Sequence, residues 1–242
     1  MKKISILILI CFLLAICASA QEFNKSVNKD SLLKVILKEL PEEKRQELLD
    51  NYYSGNDQSK EFILFMFSMP RSSKSELTKN IDTNYPKIEF LKNQYAKLVP
   101  DNYVVSIEFN PENKLISTKE TIDLRITQSK GKETIVTQEW NLAYDSPKLK
   151  KMLTQLGWTA STVINIKKWL SDANSISIEN GKTTTIGFAR SGLGKYSYQL
   201  FDKNLNARET KKYNDGCLYI FYKDNIVLQY GGGAVGPQCF PD

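Results

Sequence analysis

The six residues RSGLGK, Arg190 to Lys195, place two cations around two glycines. Backbone amides that glycine exposes in such a loop can bind phosphate, sulfate or carboxylate. The first interpretation of this segment is therefore a ligand-binding site, formed by Arg190, Ser191, Gly192, Gly194 and Lys195. The competing interpretation, which the flanking strand patterns favour, is a hairpin turn whose glycines adopt positive φ angles and whose cations lie in solvent. A Ser191–Lys195 catalytic dyad needs a buried, uncharged lysine, which a glycine-rich turn does not provide.

A second glycine motif lies near the end of the chain, where Gly231, Gly233 and Gly236 fit the spacing G-x-G-x-x-G. A dinucleotide-binding fingerprint requires a helix directly after it and an acidic residue about 20 positions later. The residues that follow Gly236 supply neither, and Pro237 and Gln238 stand where a Walker loop needs Lys and Ser or Thr. These glycines are instead predicted to bend the chain back towards a disulfide.

The chain contains no histidine. A Ser-His-Asp triad, a Cys-His nucleophile and an H-E-x-x-H zinc site are therefore excluded, because each needs an imidazole. The chemistries that remain are a carboxylate pair of the glycosidase type, a Ser-Lys dyad and an all-oxygen metal site. Asp123, Arg125 and Glu139 are predicted to share one face of a β-meander, where the arginine favours cross-strand ion pairs over catalysis. We expect no metal and no cofactor.

The first 20 residues are predicted to be a secretory signal peptide. Lys2-Lys3 precedes an apolar run from Ile4 to Ile16, and Ala18-Ser19-Ala20 forms an A-x-A cleavage site. The apolar run is shorter than the roughly 20 residues of a membrane-spanning helix. Cleavage between Ala20 and Gln21 is therefore expected.

The cysteines agree with export. Cys11 and Cys17 lie within the signal sequence, which leaves Cys217 and Cys239 as one pair in an oxidising compartment. We predict a disulfide between them, because their spacing is not C-x-x-C and no histidine is present to complete a zinc site. The mature chain carries no second apolar run long enough to span a bilayer. Its excess of basic over acidic residues is too small to indicate a nucleic-acid surface.

The segment after the signal sequence has the pattern of helices. Ser31 is predicted to cap the first of two helices. The run Phe62 to Phe67 is apolar throughout, so its period does not distinguish a buried strand from a buried helix. Ser73 and Glu76 form a capping box for a further helix, and Pro86 is predicted to begin another one at its first position.

From Asn102 the hydrophobic period changes to two, which predicts three antiparallel strands up to Leu142. Ser146 is predicted to cap the first of two amphipathic helices, and either Thr159 or Ser161 the second, and the apolar stripes of both are expected to pack on a sheet.

The last third of the chain has the pattern of short strands separated by turns. Asp224-Asn225 suits the two-residue turn of a hairpin between the last two strands. In that register Tyr219 is expected opposite Tyr230, and Phe221 opposite Leu228. Because both faces of this hairpin are apolar, it is predicted to lie inside the sheet.

These patterns predict an α+β protein with a helical N-terminal part, an antiparallel β-meander, and a helical hairpin packed on a C-terminal antiparallel sheet. The predicted regions are a signal peptide over 1–20, helices followed by strands over 21–145, and two helices with a sheet and a disulfide-tied C-terminus over 146–242.

The sequence favours a secreted or periplasmic protein that binds a protein or an envelope glycan through a surface and does no chemistry of its own, as an inhibitor or an immunity protein does. Twelve tyrosines support this expectation, because aromatic side chains with polar tips are favoured at such surfaces. The alternatives are a carboxylate-dependent hydrolase of the glycosidase type and a structural component of the envelope.

Overall fold

The computed structural model of the protein describes residues 22–129, 134–231 and 238–241. The predicted signal peptide and its cleavage site lie outside these residues. The described chain forms two compact units: one holds the residues up to Phe65 together with Glu112–Lys119, and the other holds Met66–Pro111 and the residues from Glu120 onward. Among the described residues, none of the helices has the length and apolar character needed to cross a membrane.

The first unit is helical. It contains helices α1 (Lys29–Glu39) and α2 (Glu42–Ser54) and most of α3 (Asp57–Phe67). The apolar run Phe62 to Phe67, whose period fits either a strand or a helix, is therefore helical. The prediction that Ser31 caps α1 is wrong, because the Asn28 side chain accepts a hydrogen bond from the Ser31 amide and begins the helix earlier.

The second unit contains helices α4 (Lys74–Leu98), α5 (Pro147–Leu156), α6 (Ala160–Asp172) and α7 (Ala207–Lys212). The predicted caps at Ser73 and Ser146 are present, and Thr159, not Ser161, caps α6; each accepts a hydrogen bond from a first-turn amide. The prediction that Pro86 begins a helix is wrong, because α4 continues through it. An interior proline removes only one helical hydrogen bond, and the apolar face of α4 is buried on both sides of it.

The strands of the second unit form one eight-stranded antiparallel sheet, in the order β3-β2-β1-β4-β5-β6-β8-β7. The strands are β1 (Tyr103–Asn110), β2 (Thr121–Gln128), β3 (Thr134–Leu142), β4 (Ser177–Glu179), β5 (Thr184–Ser191), β6 (Gly194–Leu200), β7 (Tyr219–Lys223) and β8 (Ile226–Gly231). The predicted α+β class is confirmed. Antiparallel pairing of β1 with β4 joins the meander to the last third of the chain, across the predicted boundary at residue 145.

One face of this sheet is covered by helices. Alternate strand residues such as Ile107, Leu124 and Tyr198 share a single buried cluster with residues from α4, α5 and α6. Burying these side chains is the main favourable contribution to folding of this unit. The other face of the sheet, which we call the open face, carries the residues in between, because successive side chains along a strand point to opposite sides.

The register of the last hairpin differs from the prediction by one residue. Tyr219 lies opposite Gln229 and Phe221 opposite Val227, because a β-bulge at Tyr222 adds one residue to β7. A shift of one residue exchanges the two faces of a strand. The hairpin is also only partly interior, since β8 lies between β6 and β7 while β7 forms an edge of the sheet.

The predicted disulfide between Cys217 and Cys239 is present. Beside it, the Phe240 amide donates a hydrogen bond of 2.9 Å to the Cys217 carbonyl. The Phe240 ring then packs on Tyr196 and Tyr230, with centroid distances of 5.8 Å and 6.0 Å. The disulfide therefore holds the end of the described chain against the aromatic core.

We expect Gly194→Ala to lower the free energy of unfolding by about 2 kcal/mol, through overpacking. A Cβ atom at Gly194 would lie 2.7 Å from the Tyr230 hydroxyl oxygen and 2.8 Å from the ring carbon that bears it. The matched control is Gly181→Ala, whose Cβ would have no neighbour closer than 3.5 Å. Urea unfolding of the two variants tests this prediction, which equal midpoints would contradict.

The edge hairpin is tied to α4 by an exposed ionic contact. Asp82 accepts hydrogen bonds from the Lys223 ammonium at 2.7 Å and from the Tyr222 hydroxyl at 2.6 Å. These donors lower the pKa of Asp82 below its ordinary value of 3.8. A lowered pKa in the folded state adds stability that is present above the unfolded pKa and is lost as the pH falls through the folded value.

Asp82→Asn is therefore expected to destabilise the protein at neutral pH, by less than about 1 kcal/mol because the pair is half exposed to solvent. The difference in unfolding free energy between the wild type and this variant should shrink as the pH falls below about 4. Denaturant unfolding of the wild type and the variant at several pH values measures this difference. A difference that grows towards acid pH would contradict the assignment.

Candidate functional site

The open face is mostly polar. Along one row, directly opposite residues on seven neighbouring strands are Asp123, Glu108, Ser177, Gly187, Ser197, Gln229 and Tyr219. The adjacent row, which crosses all eight strands, is Gln138, Arg125, Ser106, Glu179, Thr185, Gln199, Val227 and Phe221. Several of these polar residues are nonetheless buried, since Glu108, Ser177 and Ser197 are between 4% and 7% exposed, and a buried polar group is costly unless it is paired. The open face is therefore the natural place to look for function.

A charged cluster around Glu108 lies in the middle of the open face. Glu108 is 7% exposed, and its Oε2 atom lies 2.9 Å from the Lys195 ammonium. Its Oε1 atom lies 2.6 Å from Arg190 Nη2, at ion-pair distance but without hydrogen-bond geometry. The same ammonium donates to the Ser177 hydroxyl at 3.1 Å. We call Glu108, Ser177, Arg190 and Lys195 the Glu108 cluster.

A glycine makes room for this cluster. Lys195 lies on β6 and Glu108 on β1, with β4 and β5 between them, so the lysine side chain crosses the sheet over Gly187. A Cβ atom at Gly187 would lie 2.1 Å from the Ser177 hydroxyl oxygen and 3.0 Å from Lys195 Cδ. The ion pair across four strands therefore depends on the missing side chain at position 187.

The three charged residues predicted to lie together on the meander have separate partners. Arg125 pairs with Glu179 on β4, and the Asp123 carboxylate accepts a 2.7 Å hydrogen bond from the Asn141 amide. Glu139 lies opposite the buried Leu124 and pairs with a lysine on α5, so it does not share the open face. The preference for ion pairing holds for Arg125, but its partner comes from a distant strand.

The structure divides the RSGLGK segment between two environments. Arg190 and Lys195 lie opposite each other and belong to the Glu108 cluster. Ser191 hydrogen-bonds through its hydroxyl to both the amide and the carbonyl of Ser72. The Gly192 amide donates to the Pro70 carbonyl at 2.8 Å, although Gly192 has the positive φ that was expected. Anion recognition by this segment would therefore use the two cationic side chains and not the Gly192 amide.

Neither a catalytic dyad nor a metal centre is formed by these groups. Lys195 and Ser191 lie on opposite faces, because Ser191 pairs with Gly194 and Lys195 with Arg190. Lys195 does contact the Ser177 hydroxyl, but as a donor at 3.1 Å, and it also donates to the Glu108 carboxylate at 2.9 Å. Within residues 22–129, 134–231 and 238–241, no group of three or more acidic or cysteine side chains is placed to hold a metal ion.

Aromatic side chains lie at both ends of the open face. At the β7 end, rings stack edge to face, Tyr213 with Phe201 at 4.9 Å and with Tyr219 at 5.5 Å. Near the other end, Trp140 on β3 is 61% exposed. Tyr198, by contrast, is fully buried, and burial raises the pKa of its hydroxyl. The tyrosines of the last third thus divide between the core and the rim of the open face.

Sequence reasoning missed Glu108, Ser177 and Gly187. One signal was available, since Glu108 is an acidic residue in the middle of a strand that otherwise reads as apolar and half-buried. Its partners could not be found from the sequence, because β1, β4 and β6 are distant in the chain. Comparison with protein-family models, with curated proteins and with solved structures finds no match to this chain.

Proposed function

We propose that this is an exported binding protein without catalytic activity, which recognises a protein partner through the open face of its sheet. The observation that carries the proposal is the array of cross-strand ion pairs on that face, Arg125 with Glu179 and the Glu108 cluster. A regular sheet holds these charges in fixed positions, and complementary fixed charges give specificity and fast association. An inhibitor or an immunity-type protein needs only such a binding surface, because it does no chemistry of its own.

The residue types of the open face favour a protein over a glycan as partner. Arginine, tryptophan and tyrosine dominate the energetics of protein interfaces, and Arg125, Trp140 and Tyr219 lie on or beside this face. Glycans without charge would gain little from the ion pairs. Export is supported by the disulfide, because disulfides persist in oxidising compartments.

A glycosidase-like hydrolase is the second candidate, and one observation favours it. Glu108 and Asp123 lie directly opposite each other on β1 and β2, a placement that brings two carboxylates close together. Acid catalysis requires one carboxyl group in an apolar setting. Here Glu108 contacts two cations and Asp123 a backbone amide, so neither has that setting. We therefore prefer the binding role.

Affinity capture with a matched pair of variants tests the binding role. Thr185→Lys adds a charge and bulk in the centre of the open face, whereas Ile164→Lys makes the same change in charge on the exposed side of α6. A partner captured from an envelope extract should bind the wild type and Ile164→Lys equally, and Thr185→Lys at least tenfold more weakly. Circular dichroism of both variants checks the fold.

Three other outcomes would replace the proposal. Equal binding by both variants would place the interface elsewhere on the protein. Retention on insoluble polysaccharide instead of on protein would identify a glycan partner, and recovery in a stable assembly of fixed stoichiometry would identify an envelope component. Turnover of a polysaccharide panel that is lost in Glu108→Gln and Asp123→Asn would establish the hydrolase.

A further inference from the structure

The two edges of the eight-stranded sheet end in different ways. At the β7 edge, the Tyr219 amide donates to the Asp215 side chain at 2.9 Å, and the Phe221 amide to the Asn214 side chain at 3.2 Å. Leu218 accepts a backbone hydrogen bond from β8, so by alternation Tyr219 and Phe221 have the amides that point away from the sheet. The chain before β7 therefore closes this edge with its own side chains.

The β3 edge has backbone groups without such a cover. The Ser129 amide donates to the Asn102 carbonyl, and this bond sets the alternation of hydrogen bonds along β1 and β2. By that alternation, Thr137 and Glu139 are the residues of β3 that bond to β2. Gln138 lies between them, so its amide and carbonyl point away from the sheet. Among the described residues, no strand lies beyond β3 to pair with them.

The β3 edge is also apolar. Ile135, Val136 and Trp140 are 56%, 45% and 61% exposed, although all three belong to one strand of nine residues. The strand contains no lysine, arginine or proline, and lysine and proline are residues with which proteins commonly block an open edge. Its single charge, Glu139, is paired with Lys148 at 2.9 Å. An apolar edge with so little charge is a template for another strand.

We propose that β3 pairs with β3 of a second copy of this chain, in antiparallel orientation and about a two-fold axis at Gln138. The two Gln138 residues then lie opposite each other, and each donates its outward amide to the other's carbonyl. Val136 lies opposite Trp140 at two symmetric places, which is a favourable pairing of a β-branched with an aromatic side chain. Because β-bulges lie beside Val136 and Trp140, backbone pairing is confined to the residues between them, and the apolar contacts supply most of the attraction.

Charge and hydrogen-bond phase select both the occupant and the register. An axis at Glu139 would set two carboxylates opposite each other, and the backbone groups of Glu139 are already used by β2. With the axis at Gln138, each Glu139 lies opposite an uncharged Thr137 and keeps its own Lys148. The same patch thus serves both copies, as a two-fold interface requires. Since few apolar side chains are covered, the dimer is expected to be weak and reversible.

Such a dimer would join two sheets into one. A two-fold axis that relates antiparallel edge strands is perpendicular to the sheet, so both open faces lie on the same side. Two Glu108 clusters would then face one direction, an arrangement that suits a bivalent partner. The dimer itself depends only on the β3 edge, so it stands or falls independently of the proposed function.

Sedimentation equilibrium of the purified protein from about 5 µM to about 1 mM tests the dimer, because small interfaces associate in this range. We expect the average mass to rise reversibly from the monomer towards the dimer. Val136→Lys should weaken association roughly tenfold or more, because a lysine enters the interface at two places. Ile164→Lys is the matched control on the exposed side of α6 and should associate like the wild type.

A second pair of variants acts on the backbone. Gln138→Pro removes an amide that points away from β2, so it costs no hydrogen bond of the β2–β3 ladder but prevents two copies from pairing. Gln138→Ala keeps the amide and should still dimerise. Circular dichroism of both variants checks the fold.

Amide hydrogen exchange locates the interface without any substitution. The Gln138 amide should exchange several-fold more slowly at the highest protein concentration than at the lowest, because it is hydrogen-bonded only in the dimer. The Tyr219 amide donates within its own chain and should exchange equally at both concentrations.

A monomer mass at every concentration, or exchange at Gln138 that does not depend on concentration, would overturn the inference. Equal association of Val136→Lys and the wild type, or a dimer that persists in Gln138→Pro, would do the same and place the contact elsewhere. A monomeric protein whose captured partner is lost in Val136→Lys would show that β3 pairs with a strand of that partner and not with a second copy.

Discussion

Replacement of Cys217 and Cys239 by alanine is expected to lower the free energy of unfolding by about 3 kcal/mol. The disulfide joins residues 22 positions apart, and a crosslink of that length removes conformational entropy mainly from the unfolded chain. Urea unfolding of the oxidised wild type and of the double variant at neutral pH measures the difference. The same loss should follow when the wild type is unfolded in the presence of a dithiol reductant.

The loss is expected to begin at the end of the chain. Phe240 packs on Tyr196 and Tyr230, and its amide donates to Cys217, so these contacts depend on the crosslink to remain in place. Phe240→Ala keeps the disulfide and removes a half-buried ring, which should cost about 1 to 2 kcal/mol. Equal stability of the double cysteine variant and the wild type would show that the packing of Phe240 holds the tail without the crosslink.

Glu108→Ala is expected to lower the free energy of unfolding by about 2 to 3 kcal/mol. Glu108 is almost fully buried, and its removal leaves Arg190 and Lys195 beside each other without the carboxylate that both contact. Breaking a fully buried pair costs about 3 to 5 kcal/mol, and the expected value is lower because both cations are partly exposed. Thermal or denaturant unfolding at neutral pH provides the measurement.

Glu179→Ala is the matched control, because it breaks the other ion pair of the open face. The side chains of Glu179 and Arg125 are about one-third exposed, so this pair should contribute less than about 1 kcal/mol. In a double-mutant cycle, Glu108→Ala and Lys195→Ala should cost less together than the sum of the single changes. Equal losses in Glu108→Ala and Glu179→Ala would show that the Glu108 cluster is no more buried in solution than an ordinary surface pair.

The second of these effects concerns contacts that also shape the open face. The Glu108 cluster fixes the cations at the centre of this face, whereas the disulfide holds Phe240 on Tyr196 and Tyr230 in the core on the other side of the sheet. A binding surface made in this way is preorganised, so less conformational entropy is lost when a partner binds.

The sequence alone determined most of the local structure. Helix caps at Ser73, Ser146 and Thr159 follow from side chains that accept hydrogen bonds from amides within the next three residues. The alternation of β1 to β3 follows from a two-residue period, and the Cys217–Cys239 disulfide from the count of cysteines. These features depend on neighbours in the chain or on composition, so the sequence contains what is needed to predict them.

The tertiary structure alone decided how those elements combine. Pairing of β1 with β4 turns the predicted meander and C-terminal strands into one sheet, and a bulge at Tyr222 sets the register of the last hairpin. Strand pairing between distant segments is chosen by the packing of whole faces, which no local pattern specifies. Only this pairing brings Glu108 to Lys195, over a glycine whose missing side chain leaves the space. The sequence therefore identified Arg190 and Lys195 as candidate site residues, and the fold placed Glu108 beside them.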